Sequence, residues 1–292
     1  MSVAPRRILV TGTTGQLGRA LRDSLPAGSQ WLEPGARLDI TDEGLVSATI
    51  ARLKPDLVIN AAAYTAVDKA ESDAASAYRV NRDGPASLAR AAREVGARLV
   101  HVSTDFVFDG GKGRPYLPED PTAPIGAYGN SKQAGDEAVQ QILGQDALIV
   151  RTAWVYYPGG ANFVRTMLRL MQERPEVRVV ADQVGSPTHA GGLAEAIWRL
   201  TEAGEGGLHH WTDAGTASWY DFAHAIRDLG MQQRPEAAWA RLTPIRTEDY
   251  PTPARRPSYS VLDKTSTWAI TGVPPHWRDR LADRFALGQY LA

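Results

Sequence analysis

The sequence predicts an α/β protein: a doubly wound parallel sheet joined to a smaller, mixed α/β region. Three observations predict it. Short apolar runs alternate with amphipathic stretches through the first half. The turn Thr11-Gly12-Thr13-Thr14-Gly15-Gln16-Leu17-Gly18 links the first run to the first helical pattern, and the alternation weakens after Trp154, where glycine and proline become frequent. Strand–helix alternation implies parallel strands, right-handed crossovers and helices on both faces.

The runs at 8–11, 57–62, 99–103 and 148–152 are leucine-rich or β-branched and lack polar alternation, as buried parallel strands do. Helical patterns fill the gaps at 16–25, 43–53, 70–81, 85–95 and 131–143, with Asp42 placed to cap the second of them. Further on, 161–173, 193–203 and 219–229 read as helices, and the proline- and arginine-rich stretch 250–259 reads as a loop. The expected division is a cofactor-binding domain over 1–155 and a mainly substrate-binding domain over 156–292. Segments near 190–204 are expected to return to the first domain.

A hydrophobic fraction of 43% over 292 residues is enough for a sizeable core. The net charge of -1, from 32 basic and 33 acidic residues, gives no footprint for nucleic acid or an anionic membrane. A small anionic ligand held by a few local arginines fits it. With no cysteine, disulfides, thiol catalysis and cysteine-ligated metals are excluded. No apolar run reaches the roughly 18 residues of a membrane span, and no signal-peptide stretch precedes the first strand. The chain therefore reads as soluble and cytoplasmic.

In the glycine turn, Gly12 allows the sharp bend, Gly15 lets backbone approach a pyrophosphate, and Gly18 lets the helix sit close to the sheet. The helix start offers free N–H groups and a positive dipole end to phosphate. A ligand-free glycine turn is the alternative, and the turn's position after the first strand favours a dinucleotide. An acidic residue is expected about 20 residues on, at the end of the second strand. Asp39 lies near that point. Arg37 suits a 2′-phosphate or is simply solvated, so NADH and NADPH both stay open.

Tyr128 and Lys132 lie four apart at the start of a helical segment, which puts phenol and ammonium on one face. A nearby cation lowers a phenol's pKa and makes it useful in both directions of proton transfer. A surface contact is the alternative for such a pair. Thr104, at the end of the strand 99–103, supplies a further hydroxyl donor, or serves only as a turn residue.

These residues resemble a known family. Gly12, Gly15 and Gly18, the run Asn60-Ala61-Ala62-Ala63-Tyr64-Thr65, Ser103-Thr104-Asp105, and Tyr128 with Lys132 resemble the extended short-chain dehydrogenases/reductases. Within them the chain is similar to the dTDP-4-dehydrorhamnose reductases. Arg151-Thr152-Ala153-Trp154-Val155-Tyr156, Asp182-Gln183-Val184-Gly185-Ser186-Pro187-Thr188 and the stretch from Tyr250 to Ser260 carry this narrower likeness. The resemblance implies a Rossmann-type fold and reduction of the 4-keto group of a dTDP-deoxysugar by NADPH or NADH. It implies that Tyr128 protonates the developing alkoxide, that Lys132 holds the nicotinamide ribose, and that Thr104 hydrogen-bonds the keto oxygen.

The resemblance further implies a cofactor site at Gly12, Gly15, Gln16, Leu17 and Gly18, with Asp39, Ile40, Ala61, Ala62 and Ala63 around it. It implies a sugar pocket of Thr65, Val67, Asp105, Phe106 and Trp154. Asn162, Gln183 and Arg256 are expected near the nucleotide or its diphosphate. Trp154 as plain strand packing and Gln183 as a turn-stabilising amide are the alternatives. Related 4,6-dehydratases carry an acid where this chain has Phe106, so dehydration is disfavoured. Tyr157-Pro158 departs from the glycine more usual after the Trp-Val-Tyr segment. Some relatives dimerise through magnesium on surface carboxylates. No matching acidic cluster can be placed here, and Glu195 is either one such group or, on a helix face, simply solvated, so no required metal is expected and a homodimer stays open. His209 and His210 are adjacent on a strand and cannot face one ligand. The rival readings are a reductase of another 4-keto deoxysugar, or a non-catalytic NADP-binding subunit like the β subunit of methionine adenosyltransferase.

Overall fold

The computed structural model describes residues 7–35 and 38–290. The first half runs β1 (Arg7–Thr11), α1 (Gln16–Asp23), β2 (Gln30–Leu32), α2 (Glu43–Leu53), β3 (Leu57–Asn60), α3 (Val67–Ala70), α4 (Ala74–Tyr78), α5 (Gly84–Val95), β4 (Arg98–Thr104), α6 (Ala127–Leu143) and β5 (Leu148–Thr152). The second half runs β6 (Val155–Tyr156), α7 (Phe163–Glu173), β7 (Glu176–Val180), β8 (Val184–Gly185), β9 (Thr188–His189), α8 (Ala190–Glu202), β10 (Gly207–His210), β11 (Ala217–Ser218), α9 (Trp219–Gln233), β12 (Arg241–Ile245), α10 (Thr265–Thr271) and α11 (Trp277–Ala286).

Six strands form one parallel sheet in the order β10-β5-β4-β3-β1-β2. Successive side chains of a strand face opposite sides, and both sides are covered here. Ile8 and Val10 pack with Leu17, Leu21, Leu193 and Ile197. Leu9 packs on the other side with Ile50, Val58, Leu88 and Ile149. This two-sided burial is why the strands show no polar alternation. The chain leaves β1 towards β2, then crosses back to β3 on the far side of β1. That reversal opens a crevice at the carboxyl ends of β1 and β3.

The second half does not stay apart. α8 lies against α1, and β10 extends the main sheet beside β5. The remaining elements build their own core from Tyr156, Val164, Met171, Phe222, Ile226, Trp277 and Phe285. Small pairs β7–β12, β8–β11 and β6–β9 knit this part together. The stretch 250–259 is a loop that rejoins the body through a bridge from Tyr259 to Val184.

The expected helix at 70–81 is broken instead into α3, α4 and a wide π turn over Arg79–Asp83. Pro85, just inside α5, has no N–H to return to the Asn81 carbonyl, so the α pattern cannot run through. The Asn81 side chain meanwhile accepts from the Tyr64 N–H and donates to the Tyr64 carbonyl and to Ser131.

Because the Ile197 side chain belongs to the main core rather than to the second, Ile197→Ala is expected to cost about 2–5 kcal/mol in denaturant unfolding. A loss below about 1 kcal/mol would contradict its placement.

Candidate active site

The cleft at the switch point is bounded by the ends of β1, β3, β4 and β5 and reaches Trp219 and Arg256 of the second half. Its volume is about 2080 Å³. A single small-molecule pocket holds about 300–1,000 Å³, so this space suits two ligands side by side.

Glycine builds the entry. Gly12 has φ +70°, and a Cβ there would lie 2.6 Å from the backbone of Ala61 and Ala62. A Cβ on Gly18 would clash with the Gly12 carbonyl, so α1 is pressed onto the turn. Gly15 is different. Its backbone is extended, and an added Cβ would meet only the Gly12 oxygen, at 3.2 Å. The protein's own packing barely needs a glycine there, but the bare backbone lines the cleft. No side chain caps α1 and no acid sits in its first turn, so the leading N–H groups face the cleft. This cradle fits a dinucleotide pyrophosphate.

The placement of Asp39 at the end of the second strand is a correction. β2 ends at Leu32, and the residue that follows it on the cleft wall is Glu33, paired with Arg22. Asp39 lines the cleft from a loop further on, where its carboxylate accepts from the Thr41 N–H (2.9 Å) and hydroxyl (2.8 Å). Ile40 lies beside it on the cleft wall, whereas Arg37 lies outside the described residues. Asp42 does cap α2, accepting from the Leu45 N–H at 2.9 Å.

α6 delivers the phenol and the ammonium. Its first N–H, of Ala127, donates to the Glu71 carboxylate (2.8 Å). Gly129 lets the helix touch the Phe106 carbonyl, and Gly135 lets it touch the Asn81 carbonyl. Docked at these two points, α6 presents Tyr128 and Lys132 to the cleft, next to Thr104 and Asp105 at the end of β4. Phe106 packs edge-on to Tyr128 with centroids 5.5 Å apart. The Thr104 hydroxyl donates to Asp105 Oδ1 (3.1 Å) and accepts from the Phe106 N–H.

Burial outweighs the lowering expected of Lys132 on Tyr128. Desolvation pushes the phenol up to about 12; the Thr104 hydroxyl opposes this, and Asp105 and Asp136 add to it. The Lys132 ammonium is buried and bonded instead to the Val102 carbonyl (2.7 Å), and burial lowers it to about 8. Burial raises Asp105 to about 6, against hydrogen bonds from Ser260 and Thr104. The resting site therefore holds a protonated phenol at neutral pH.

Gln16, Leu17, Ala61, Ala62, Ala63, Thr65, Val67, Trp154 and Arg256 also line the cleft. Gly18 lies behind the turn rather than on the lining. Asn162 and Gln183 are not on the lining either. Asn162 caps α7 by accepting from the Arg165 N–H (3.1 Å) and donates to the Tyr157 carbonyl. Gln183 donates to the Thr247 hydroxyl (3.1 Å). Arg256 grips Asp68 in a fork of 2.9 and 2.8 Å, which ties the 250–259 loop to α3. Trp154 has φ +47° and stacks on Trp219 at 3.5 Å, with Gly185 leaving room behind its indole. Trp219, Glu33 and Arg19 line the cleft too, and the sequence pattern does not point to them. Trp219 is the first residue of α9, and nothing local in its sequence marks it for a cleft. His209 and His210 bond away from each other, towards Gly206 and Tyr116. Among the described residues no group of three or more histidines, aspartates or glutamates converges to hold a metal ion, and no helix is long and apolar enough to cross a membrane.

A doubly wound sheet with a glycine turn, and a tyrosine and lysine one helical turn apart over the same cleft, is the architecture of the extended short-chain dehydrogenases/reductases. Within it, the family model described as the RmlD substrate binding domain matches residues 6–289, and the chain belongs to that family. It is 46% identical over 289 residues to a Burkholderia thailandensis protein named dTDP-4-dehydrorhamnose reductase, covering 93% of this chain and 95% of that one. It is 42% identical over 286 residues to a Streptomyces niveus protein named dTDP-4-keto-6-deoxy-D-glucose reductase, covering 96% and 97%. A crystal structure of dTDP-4-dehydrorhamnose reductase from Bacillus anthracis in complex with NADP superposes with TM-score 0.88 at 36% identity, covering 97% of this chain and 99% of that one.

The two glycines separate folding from binding. Gly12→Ala is expected to lower the melting temperature, by strain and collision worth about 1–3 kcal/mol. Gly15→Ala is expected to melt near the wild type but to bind NADPH at least about tenfold more weakly in a fluorescence titration, a loss of about 1.4 kcal/mol. Equal NADPH affinity in Gly15→Ala would contradict the assignment of the cradle.

Proposed function

We propose that the protein reduces the C4 keto group of dTDP-4-dehydro-L-rhamnose, giving dTDP-L-rhamnose, with NADPH or NADH as the cofactor. The observation that carries this reading is the meeting of Thr104, Tyr128 and Lys132 at the floor of a cleft with room for two ligands. The names of the full-length relatives and the NADP bound to a structural neighbour support it.

Residues 1–155, joined by the helix near 190–204, hold the cofactor, and the rest of 156–292 mainly holds the nucleotide sugar. Gly12, Gly15, Gln16 and Leu17 receive the pyrophosphate, while Asp39, Ile40 and Ala61–63 border the adenosine side and Lys132 holds the nicotinamide ribose. When bound, the reduced nicotinamide supplies a hydride to the carbonyl carbon. Tyr128 donates its proton to the carbonyl oxygen as charge builds there, and its raised pKa keeps that proton in place at neutral pH. The Thr104 hydroxyl, whose single proton rests on Asp105 Oδ1 without substrate, turns to hydrogen-bond the same oxygen where charge develops. The Lys132 ammonium then offsets the phenolate. Asp105, ionised above pH of about 6, accepts a sugar hydroxyl. Phe106 offers no base, which favours reduction over dehydration. Thr65, Val67 and the Trp154–Trp219 stack wall the sugar, and Arg256 stands at the diphosphate rim.

A reductase of another 4-keto deoxysugar is the second reading. It is favoured by the Streptomyces niveus relative, whose name gives a different sugar at 42% identity. An intact Tyr128 and Lys132 weigh against a purely regulatory subunit.

Tyr128→Phe is expected to reduce kcat by about 10²–10⁴-fold while the Kd for NADPH changes less than about twofold, or 0.4 kcal/mol. Near-normal turnover in that variant would sink the reading.

A further inference from the structure

Behind Lys132 lies a set of charges that the reaction does not touch. Asp136 and Arg151 are buried, and so is His101. A lone buried ammonium is costly. The Val102 carbonyl gives the Lys132 Nζ a dipole but no charge. Asp136 stands four residues further along α6, on the same helix face. Arg151, from β5, reaches Asp136 Oδ2 at 3.2 Å, and His101 Nε2, from β4, lies 3.6 Å from Oδ1.

The protonation of His101 follows from its neighbours. Asn60 Oδ1 accepts from the Thr11 hydroxyl (2.6 Å) and from the Ala62 N–H (3.2 Å). The Asn60 amide nitrogen therefore faces His101 Nδ1, at 3.1 Å, and donates to it. A neutral imidazole accepting at Nδ1 carries its proton on Nε2. That N–H points to Asp136, and it cannot accept from the Lys132 Nζ 3.5 Å away. His101 thus stays neutral, and burial together with the Lys132 charge keeps it so.

We propose that Asp136, gripped by Arg151 and faced by the Nε2–H of His101, is a positioning residue for the reduction: it is the buried counter-charge that holds Lys132 as a cation at the cleft floor. Burial draws the ammonium down to about 8, and Asp136 is the group that opposes this. Burial also raises the Asp136 carboxyl, which Arg151, Lys132 and the Ser103 hydroxyl hold down. The other charged or titratable groups facing this corner are Tyr128 from α6 and Asp105 after β4, both on the cleft side, and His210 of β10, beside Arg151 and kept neutral by burial. The role rests on Lys132 serving the cofactor ribose and Tyr128. The titration that decides it does not, because it is read without substrate.

The chain has five lysines, so the lysine side-chain signals of a ¹³C-labelled sample can be followed individually by NMR during a pH titration, and Lys132→Met assigns the one of interest. In the wild type Lys132 is expected to titrate near 8, and Lys264, lowered to about 8 by its own burial, is the internal control. In Asp136→Asn the Lys132 midpoint is expected to fall by at least about one unit, tenfold in proton affinity, with Lys264 unmoved. The alkaline limb of kcat/KM is expected to move the same way. Should the lone Arg151 guanidinium prevent folding, Asp136→Asn/Arg151→Met removes both charges, and because loss of the cation offsets part of the effect, a smaller fall in the same direction is expected. An unchanged Lys132 midpoint in either folded variant overturns the proposal. Failure of the wild type to reduce the keto sugar would overturn the function instead, and would leave this titration standing.

Discussion

At the end of β1 the backbone of Gly12 runs so close to Ala61 and Ala62 that no side chain fits between them, and Gly18 lies as tightly against Gly12 from the other side. This three-way contact of turn, neighbouring strand and helix sets the geometry of the whole cleft. It ties the start of α1 to the end of β3, so the cleft opens at the point where the strand order reverses. It leaves the first N–H groups of α1 facing open space. Two further glycines repeat the device on α6: Gly129 and Gly135 let the helix rest on the Phe106 and Asn81 carbonyls. The positions of Tyr128 and Lys132 are therefore set by backbone contacts, which bend less than long side chains do.

Burial then sets the chemistry of these groups. The phenol is raised and the ammonium lowered by the same cause, removal of water, because each loses its charged form's hydration. The two halves of the chain also meet at the cleft. Trp154, leaving β5 in a left-handed conformation, stacks on Trp219 of α9. Arg256, in the loop after β12, clasps Asp68 of α3. The side of the cleft formed by the second half is thus closed by contacts between residues far apart in the chain.

Much of this is legible in the sequence. The doubly wound sheet follows from apolar runs without polar alternation, which two-sided burial requires. The glycine turn, the tyrosine–lysine spacing and Thr104 all lie in short segments whose geometry is local. The illegible features depend on distant partners. β2 is three residues long with an exposed first residue, so it has no readable apolar run, and nothing in the sequence sets Glu33 at its end above Asp39. The break in the helix at 70–81 comes from Pro85, which lies beyond the pattern that it interrupts. Trp219 reaches the cleft only because α9 packs against the second core. The direction of the Tyr128 shift depends on burial and on which acceptor Lys132 finds, and neither is encoded in a spacing of four.

The central claim is that this cleft reduces a 4-keto nucleotide sugar. The most direct measurement follows oxidation of NADPH and NADH by the purified protein with enzymatically prepared dTDP-4-dehydro-L-rhamnose, and identifies the product by NMR. The account predicts one cofactor oxidised for each dTDP-L-rhamnose formed. Cofactor that binds normally, with no oxidation and the keto sugar recovered unchanged, would contradict it.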